Sequence, residues 1–183
     1  MADVQKLREK LGIHPDFPKK GINFLDIFPI FRDPILTELL ISHLVTHIVT
    51  VTLANSPEKK IDAVVGLDAR GFLLGPLIAL RLGAGFVPVR KTGKLPGETV
   101  QVMYSKEYGT DEFAIQADSI APGSNVIIVD DLIATGGSAQ AAGELVKKLG
   151  GNTLEYIFII GLNFLKDRWK LDAPVYCMIE SDE

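Results

Sequence analysis

The stretch Val126-Ile127-Ile128-Val129-Asp130-Asp131-Leu132-Ile133-Ala134-Thr135-Gly136-Gly137-Ser138 constrains this chain more than any other. Four apolar residues make a buried strand, two adjacent carboxylates close it, and a loop of small residues opens a helix. That helix is legible from Ala141, Ala142, Leu145, Val146 and Leu149, which recur at helical spacing. The backbone N–H groups of Ala134, Thr135, Gly136, Gly137 and Ser138 can turn inward on a phosphate. Two glycines allow close approach, and a helix N-terminus favours an anion. Asp130 and Asp131 repel such a phosphate; they suit the hydroxyls of a sugar attached to it, or a metal. A phosphate cradle beside two hydroxyl acceptors fits ribose 5-phosphate. No Lys follows Gly137, and no G-x-G-x-x-G follows any strand, so two other phosphate-loop patterns are absent.

The rest of the chain alternates strands and helices. Val4 to Leu11 reads as a short amphipathic helix. Asp33 and Pro34 form a cap and first-turn pair that opens a long helix, with Leu36, Leu39, Leu40, Leu44, Ile48 and Val51 on one face. Ile61 to Gly66, Gly85 to Val89, Leu154 to Ile160 and Val175 to Met178 read as further strands, and Gly71 to Leu82 as an apolar helix. Apolar strands separated by helices imply an α/β fold whose mainly parallel central sheet is flanked by helices. Ligands then bind at the carboxyl ends of the strands, where Asp68, Arg90 and Asp130 fall. At 183 residues the chain fits a single domain, 1–183. From Lys91 to Asp111 it is polar and rich in Gly, Lys, Thr and Tyr, which predicts a mobile lid loop over about 91–112. The segment Pro15 to Phe24 is irregular yet aromatic, so residues 1–32 read as a hood packed over something.

Several functional classes fall away. Net charge is −4, which argues against broad nucleic-acid binding; an anionic ligand would need a local basic patch. One cysteine, Cys177, excludes an internal disulfide. His43 and His47 stand four apart but have no acidic third ligand nearby in sequence, so they read as surface or core residues. Cys177 reads as a small buried hydrophobe and Trp169 as packing. The polar N-terminus is unlike a signal peptide, and no apolar run approaches membrane-spanning length. A cytoplasmic protein with no membrane partner is expected.

Two further stretches carry candidate chemistry. Gly66-Leu67-Asp68-Ala69-Arg70-Gly71-Phe72 is a second strand-to-helix turn, whose N–H groups and Arg70 make another anion site. Val89-Arg90-Lys91-Thr92-Gly93-Lys94-Leu95-Pro96-Gly97 brings three cations to the leading edge of the lid, beside both anion loops. A sugar carrying a phosphate and a pyrophosphate needs two such sites.

The 126–138 stretch resembles the phosphoribosyl-pyrophosphate (PRPP) signature of the type I phosphoribosyltransferases, an apolar strand ending in two acids and a Thr-Gly-Gly turn. The resemblance runs from Pro15-Asp16-Phe17-Pro18 to Leu165-Lys166-Asp167-Arg168. It implies that Asp130, Asp131 and the loop Ala134 to Ser138 bind the ribose 5-phosphate. The Asp68, Ala69 and Arg70 turn would meet pyrophosphate, with a cis peptide at Asp68–Ala69. The Arg90, Lys91 and Lys94 segment is similar to the family's Arg-Lys-x-Gly-Lys-Leu-Pro, whose cations meet pyrophosphate, the first often across a homodimer. Tyr104-Ser105-Lys106-Glu107-Tyr108-Gly109 is similar to the Tyr-x-x-Glu-Tyr-Gly of members that use adenine, which implies Glu107 as the group handling a purine ring proton. Ile22, Phe24 and Leu25 resemble the segment facing adenine, with Phe24 and Leu162 as stacking walls. The implied reaction converts adenine and PRPP to AMP and pyrophosphate, with Mg2+ held mainly by PRPP, pyrophosphate and water and no direct protein ligand.

Two positions depart from the family pattern. This chain has Phe24-Leu25-Asp26-Ile27 where Phe-Arg-Asp-Ile is common, and Gly161 where relatives are often acidic. If adenine is read by backbone groups, Leu25 preserves the reading; if the Arg side chain contributes, selectivity differs here. Hypoxanthine and xanthine carry ring oxo groups that demand a donor, and no lysine lies next to Phe24 or Leu162. A non-catalytic PRPP-binding regulator would need a nucleic-acid-binding unit or basic face, and the acidic chain has no spare domain for one.

Overall fold

A computed structural model describes residues 2–105 and 110–182. Seven strands form one sheet: β3 (Ala63–Leu67), β4 (Gly85–Lys91), β5 (Thr99–Ser105), β6 (Thr110–Gln116), β7 (Asn125–Ile133), β8 (Asn152–Leu162) and β9 (Val175–Ser181). Their spatial order is β5-β6-β4-β3-β7-β8-β9. In that order the strands from β4 to β9 run parallel, and β6 is antiparallel to both β4 and β5. A separate two-stranded ribbon pairs β1 (Gly12–Pro15) with β2 (Asn23–Asp26).

Alternation along the central strands sends side chains into two cores. Val64, Ile127, Val129, Ile157 and Ile159 face one layer of helices: α1 (Ala2–Arg8), α2 (Phe28–Phe31), α3 (Pro34–His47) and α5 (Gly71–Leu82). Val65, Val126, Ile128, Tyr156 and Phe158 face α6 (Gly137–Lys148), which contributes Ala141, Ala142, Leu145 and Val146. Burial on both faces explains why these strands read as unbroken apolar runs.

The Asp33 side chain caps α3, accepting from the Ile35 N–H at 2.8 Å. The helix continues through a π-helical segment, Ile48–Thr52, into a last short turn, α4 (Leu53–Asn55). Leu36, Leu40, Leu44 and Ile48 are buried as expected, but Val51 is 42% exposed and Thr52 is buried instead. The widened i→i+5 turn rotates the face by part of a step, placing the fourth residue after Ile48 inward. The 22 residues Pro34–Asn55 are long and apolar enough to cross a membrane, contrary to the sequence expectation. Here the buried face of that helix packs in the sheet core.

The polar region 91–112 also differs from the expected loop. Residues 99–105 and 110–116 are strands of an antiparallel hairpin whose second strand pairs Arg90 with Ala114 and Lys91 with Phe113. Val102, Tyr104, Phe113 and Ile115 are buried beneath it. The acids at 130 and 131 do not end their strand either. β7 runs on to Ile133, with Leu132 and Ile133 opposite Ile160 and Gly161. Within 1–32 the helix expected over Val4 to Leu11 is α1, ending at Arg8, while part of the segment expected to be irregular pairs as the β1–β2 ribbon.

Candidate active site

The carboxyl ends of β3, β7 and β8 converge on two adjoining depressions, both lined by Leu132. The smaller, about 160 Å³, is lined by Asp130, Ala134, Thr135, Gly136, Gly137 and Ser138, with Leu67 and Phe158 behind them. Gly136 precedes the first turn of α6 at φ +84°, and no side chain caps that helix. The first-turn N–H groups are thus left to whatever anion enters.

The larger cleft, about 620 Å³, gathers Ile22, Phe24, Leu25 and Leu162, the four residues expected around a base. Gly21, Asn23, Leu132, Phe164, Arg70 and Asp131 complete it. Phe17 meets the Phe24 ring edge-to-face at 5.2 Å, and Phe17–Pro18 is a cis peptide. Sequence alone does not single out Phe17 or Phe164 as site residues; the aromatic character of the hood is the one signal for the first.

The two acids divide between these compartments, because consecutive strand residues point to opposite faces. Asp130 lines the phosphate depression and Asp131 the apolar cleft. The Asp131 N–H donates to Asp130 Oδ1 at 2.9 Å. Burial, and then the Asp131 carboxylate, push the Asp130 carboxyl well above the ordinary carboxylate range. Asp131 is buried and accepts from Arg70 Nε.

The second anion turn sits between β3 and α5. Its Asp68–Ala69 peptide is cis, as the family resemblance implied. Close packing requires Gly71: a Cβ there would stand 2.7 Å from the Val129 carbonyl oxygen. Arg90 Nε donates to Asp68 Oδ2 at 2.7 Å, and its Nη1 donates to the Lys94 carbonyl at 3.1 Å. Lys91 pairs with Asp111 at 2.8 Å. The Arg90 guanidinium also lies 6.0 Å from the centre of the Phe72 ring. Arg70, Arg90 and Lys91 are therefore held by carboxylates at the strand ends. Arg70 differs from the sequence expectation in also lining the base cleft. Glu107 lies outside the described residues.

Among the described residues, no three His, Cys, Asp or Glu side chains gather where they could hold a metal ion. His43 and His47 are structural: His47 Nε2 lies 3.0 Å from Glu155 Oε1, and its ring stacks on Tyr176 at 3.6 Å. Cys177 is half-buried, and burial pushes its thiol up to about 12. Trp169 packs as expected, but its indole N–H also donates to the Ala134 carbonyl at 2.7 Å. No local pattern announces that contact across 35 residues.

Residues 35–178 match the phosphoribosyl transferase domain family. The chain is 56% identical to the adenine phosphoribosyltransferase of Yarrowia lipolytica over 178 residues, covering 97% of this chain and 96% of that one. It is 55% identical to adenine phosphoribosyltransferase 1 of Saccharomyces cerevisiae, covering 98% and 94%. The crystal structure of the Saccharomyces cerevisiae adenine phosphoribosyltransferase, complexed with D-2,5-dideoxy-2,5-imino-altritol 1,6-bisphosphate and adenine, superposes with a TM-score of 0.92 over 97% of this chain and 99% of that one, at 55% identity. The Giardia lamblia enzyme complexed with 9-deazaadenine superposes at 0.83, with 29% identity, over 98% of each chain.

Proposed function

This chain belongs to the adenine phosphoribosyltransferase family, and on that premise we propose that it transfers the 5-phosphoribosyl group of PRPP to adenine, giving AMP and pyrophosphate. One observation carries the assignment of parts. A phosphate-sized depression and an apolar cleft adjoin across Asp130 and Asp131, with cations on the third side.

In this reading the first-turn amides of α6 hold the 5-phosphate, and Asp130 and Asp131 take the 2- and 3-hydroxyls. Fixing both ends of the sugar orients C1 toward the cleft. The bond from C1 to pyrophosphate breaks as the ring gains oxocarbenium character, and adenine N9 bonds to C1. Both carboxylates offset the positive charge on the ring. Arg70, Arg90, Lys91 and Lys94 receive the departing pyrophosphate, exchanging Asp131, Asp68 and Asp111 for a stronger anion. Adenine lies between Phe24 and Leu162, its edge facing the backbone of Ile22 to Leu25. Glu107 takes the purine ring proton.

Mg2+ supplies further neutralisation of pyrophosphate charge when bound. The residues present fit such an ion as partners to its waters, through Asp130 and Asp131, more than as a three-ligand cage. The enzyme acts in the cytoplasm on free small molecules, with no nucleic-acid or membrane partner.

We also propose a homodimer through α3 and α5. Ile35 is 71% and Leu80 78% exposed, and a depression of about 420 Å³ lined by Phe31, Pro34, Ile41, Leu77 and Leu80, with Thr37 and the Glu38–Arg81 ion pair, runs along that face.

Calorimetry of the double variant D130N/D131N tests the site. PRPP affinity should fall by about 10²-fold or more, as two charge-assisted hydroxyl contacts are lost, while circular dichroism stays native. Unchanged PRPP affinity would remove the ribose assignment.

A further inference from the structure

We propose that Trp169 is a positioning residue for the 5-phosphate loop, acting on the backbone of Ala134 and Gly136 without touching substrate. This rests on the phosphoribosyl-transfer reading of the site.

Trp169 follows the 3-10 turn Asn163–Arg168, and its own N–H donates to the Lys166 carbonyl at 3.0 Å. Its side chain reaches back beneath the loop that precedes α6. The indole N–H donates to the Ala134 carbonyl at 2.7 Å. A trans peptide is planar, with its C=O and N–H pointing in opposite directions. Holding the Ala134 oxygen outward on Trp169 therefore turns the Thr135 N–H inward, toward the phosphate depression that Thr135 lines. Trp169 is not among the residues lining that depression, so its hold is exerted from behind.

A second contact acts on the turn itself. The Trp169 Cδ1 and Cα atoms lie 3.3 and 3.4 Å from where a Cβ on Gly136 would stand, so the ring backs the one residue whose φ of +84° starts the helix. Gly136 can neither take a side chain there nor retreat from the ligand. A single aromatic side chain thus sets both the facing of one amide and the depth of the next turn.

The departure at position 161 follows from the same packing. A Cβ on Gly161 would meet Cys177 Sγ at 2.5 Å and the far edge of the Trp169 ring at 3.3 Å. The space that an acidic side chain would need is filled by the indole and the thiol. Lys166, 5.9 Å from the ring centre, covers Trp169 from a further side. Gly161, Cys177 and Trp169 form one packed unit supporting the phosphate loop.

The test compares wild type with Trp169→Phe, which keeps an aromatic ring and removes the donor. Titration with ribose 5-phosphate and with PRPP should show about 3–10-fold weaker binding, the worth of one hydrogen bond. Inorganic pyrophosphate and adenine should bind as in wild type. KM for PRPP should rise while KM for adenine stays unchanged. Equal ribose 5-phosphate affinity in Trp169→Phe and wild type would overturn the inference alone. Parallel weakening of all four ligands would overturn it too, since that marks general loosening. A wild type that binds neither ribose 5-phosphate nor PRPP would overturn the functional reading on which the inference stands.

Discussion

Asp130 is half-buried in the lining of the smaller depression beside the Asp131 carboxylate, and desolvation of its carboxyl first and Asp131 second raise its pKa. The unfolded chain releases that proton near pH 4. Above that pH the folded state holds a proton the unfolded state lacks, so this group's contribution to stability falls as pH rises toward the raised folded value. An asparagine side chain in its place cannot ionise and avoids the cost. Asp130→Asn should therefore raise Tm at pH 7, by about 2–4 °C for each kcal/mol recovered at this length, with no gain below about pH 4. Thermal melts at both pH values check it, and equal gains at both would contradict the burial argument. Phe24 offers a separate test in the cleft. Phe24→Ala removes the ring that meets Phe17 at 5.2 Å and walls the base site. Adenine affinity should fall by about 10-fold, the worth of one aromatic contact, with PRPP affinity unchanged in calorimetry.

At the scale of elements, the long helix is joined to the sheet by a polar cluster as well as by its apolar face. Glu155 of β8 is buried at 6% exposure and takes the Thr52 hydroxyl and His47 Nε2, while Tyr176 of β9 stacks on His47 and meets His43 at 2.7 Å. Glu155→Ala leaves buried donors unpaired, at about 1–3 kcal/mol for each. Urea unfolding should show that loss with kcat unchanged in the folded protein. A kcat loss with normal stability would place the cluster in the catalytic machinery instead. This cluster shows what a single sequence hides, since His47 and Glu155 are 108 positions apart. The βα unit from Val126 to Leu149 was legible because strand, turn and helix signals lie side by side in the chain. The β5–β6 hairpin was readable in principle. Val100, Val102 and Tyr104 alternate with Thr99, Gln101 and Met103, a half-buried strand pattern that the neighbouring Gly, Lys and Thr residues obscure. The pairing of Arg70 with Asp131 was not readable, because two different strand ends supply its partners. That Ile22, Phe24, Leu25 and Leu162 line one cleft is implied only by the likeness of the 22–25 segment to a family, since these apolar residues carry no periodic signal of their own.

At the scale of the molecule, the site lies along the carboxyl edge of the sheet, and the exposed apolar face lies on the helices behind it. Leu80 stands at 78% exposure on α5, the helix that begins at the pyrophosphate turn. Leu80→Asp should convert a dimer to a monomer in sedimentation, with kcat reduced; a monomeric wild type would overturn the proposed assembly. The proposed reaction joins adenine, not another purine, to the phosphoribosyl group. In the proposed reading, backbone groups of Ile22 to Leu25 pair with adenine's donor and acceptor edge, and a base with that edge reversed leaves them unpaired at about 1–3 kcal/mol each. The most direct measurement is pyrophosphate release from PRPP and Mg2+ with adenine, hypoxanthine or guanine, comparing kcat/KM for wild type. Adenine should be preferred by about 10²-fold or more, with Leu25→Arg changing that ratio little. No release with adenine, or a preference for hypoxanthine or guanine, would contradict it.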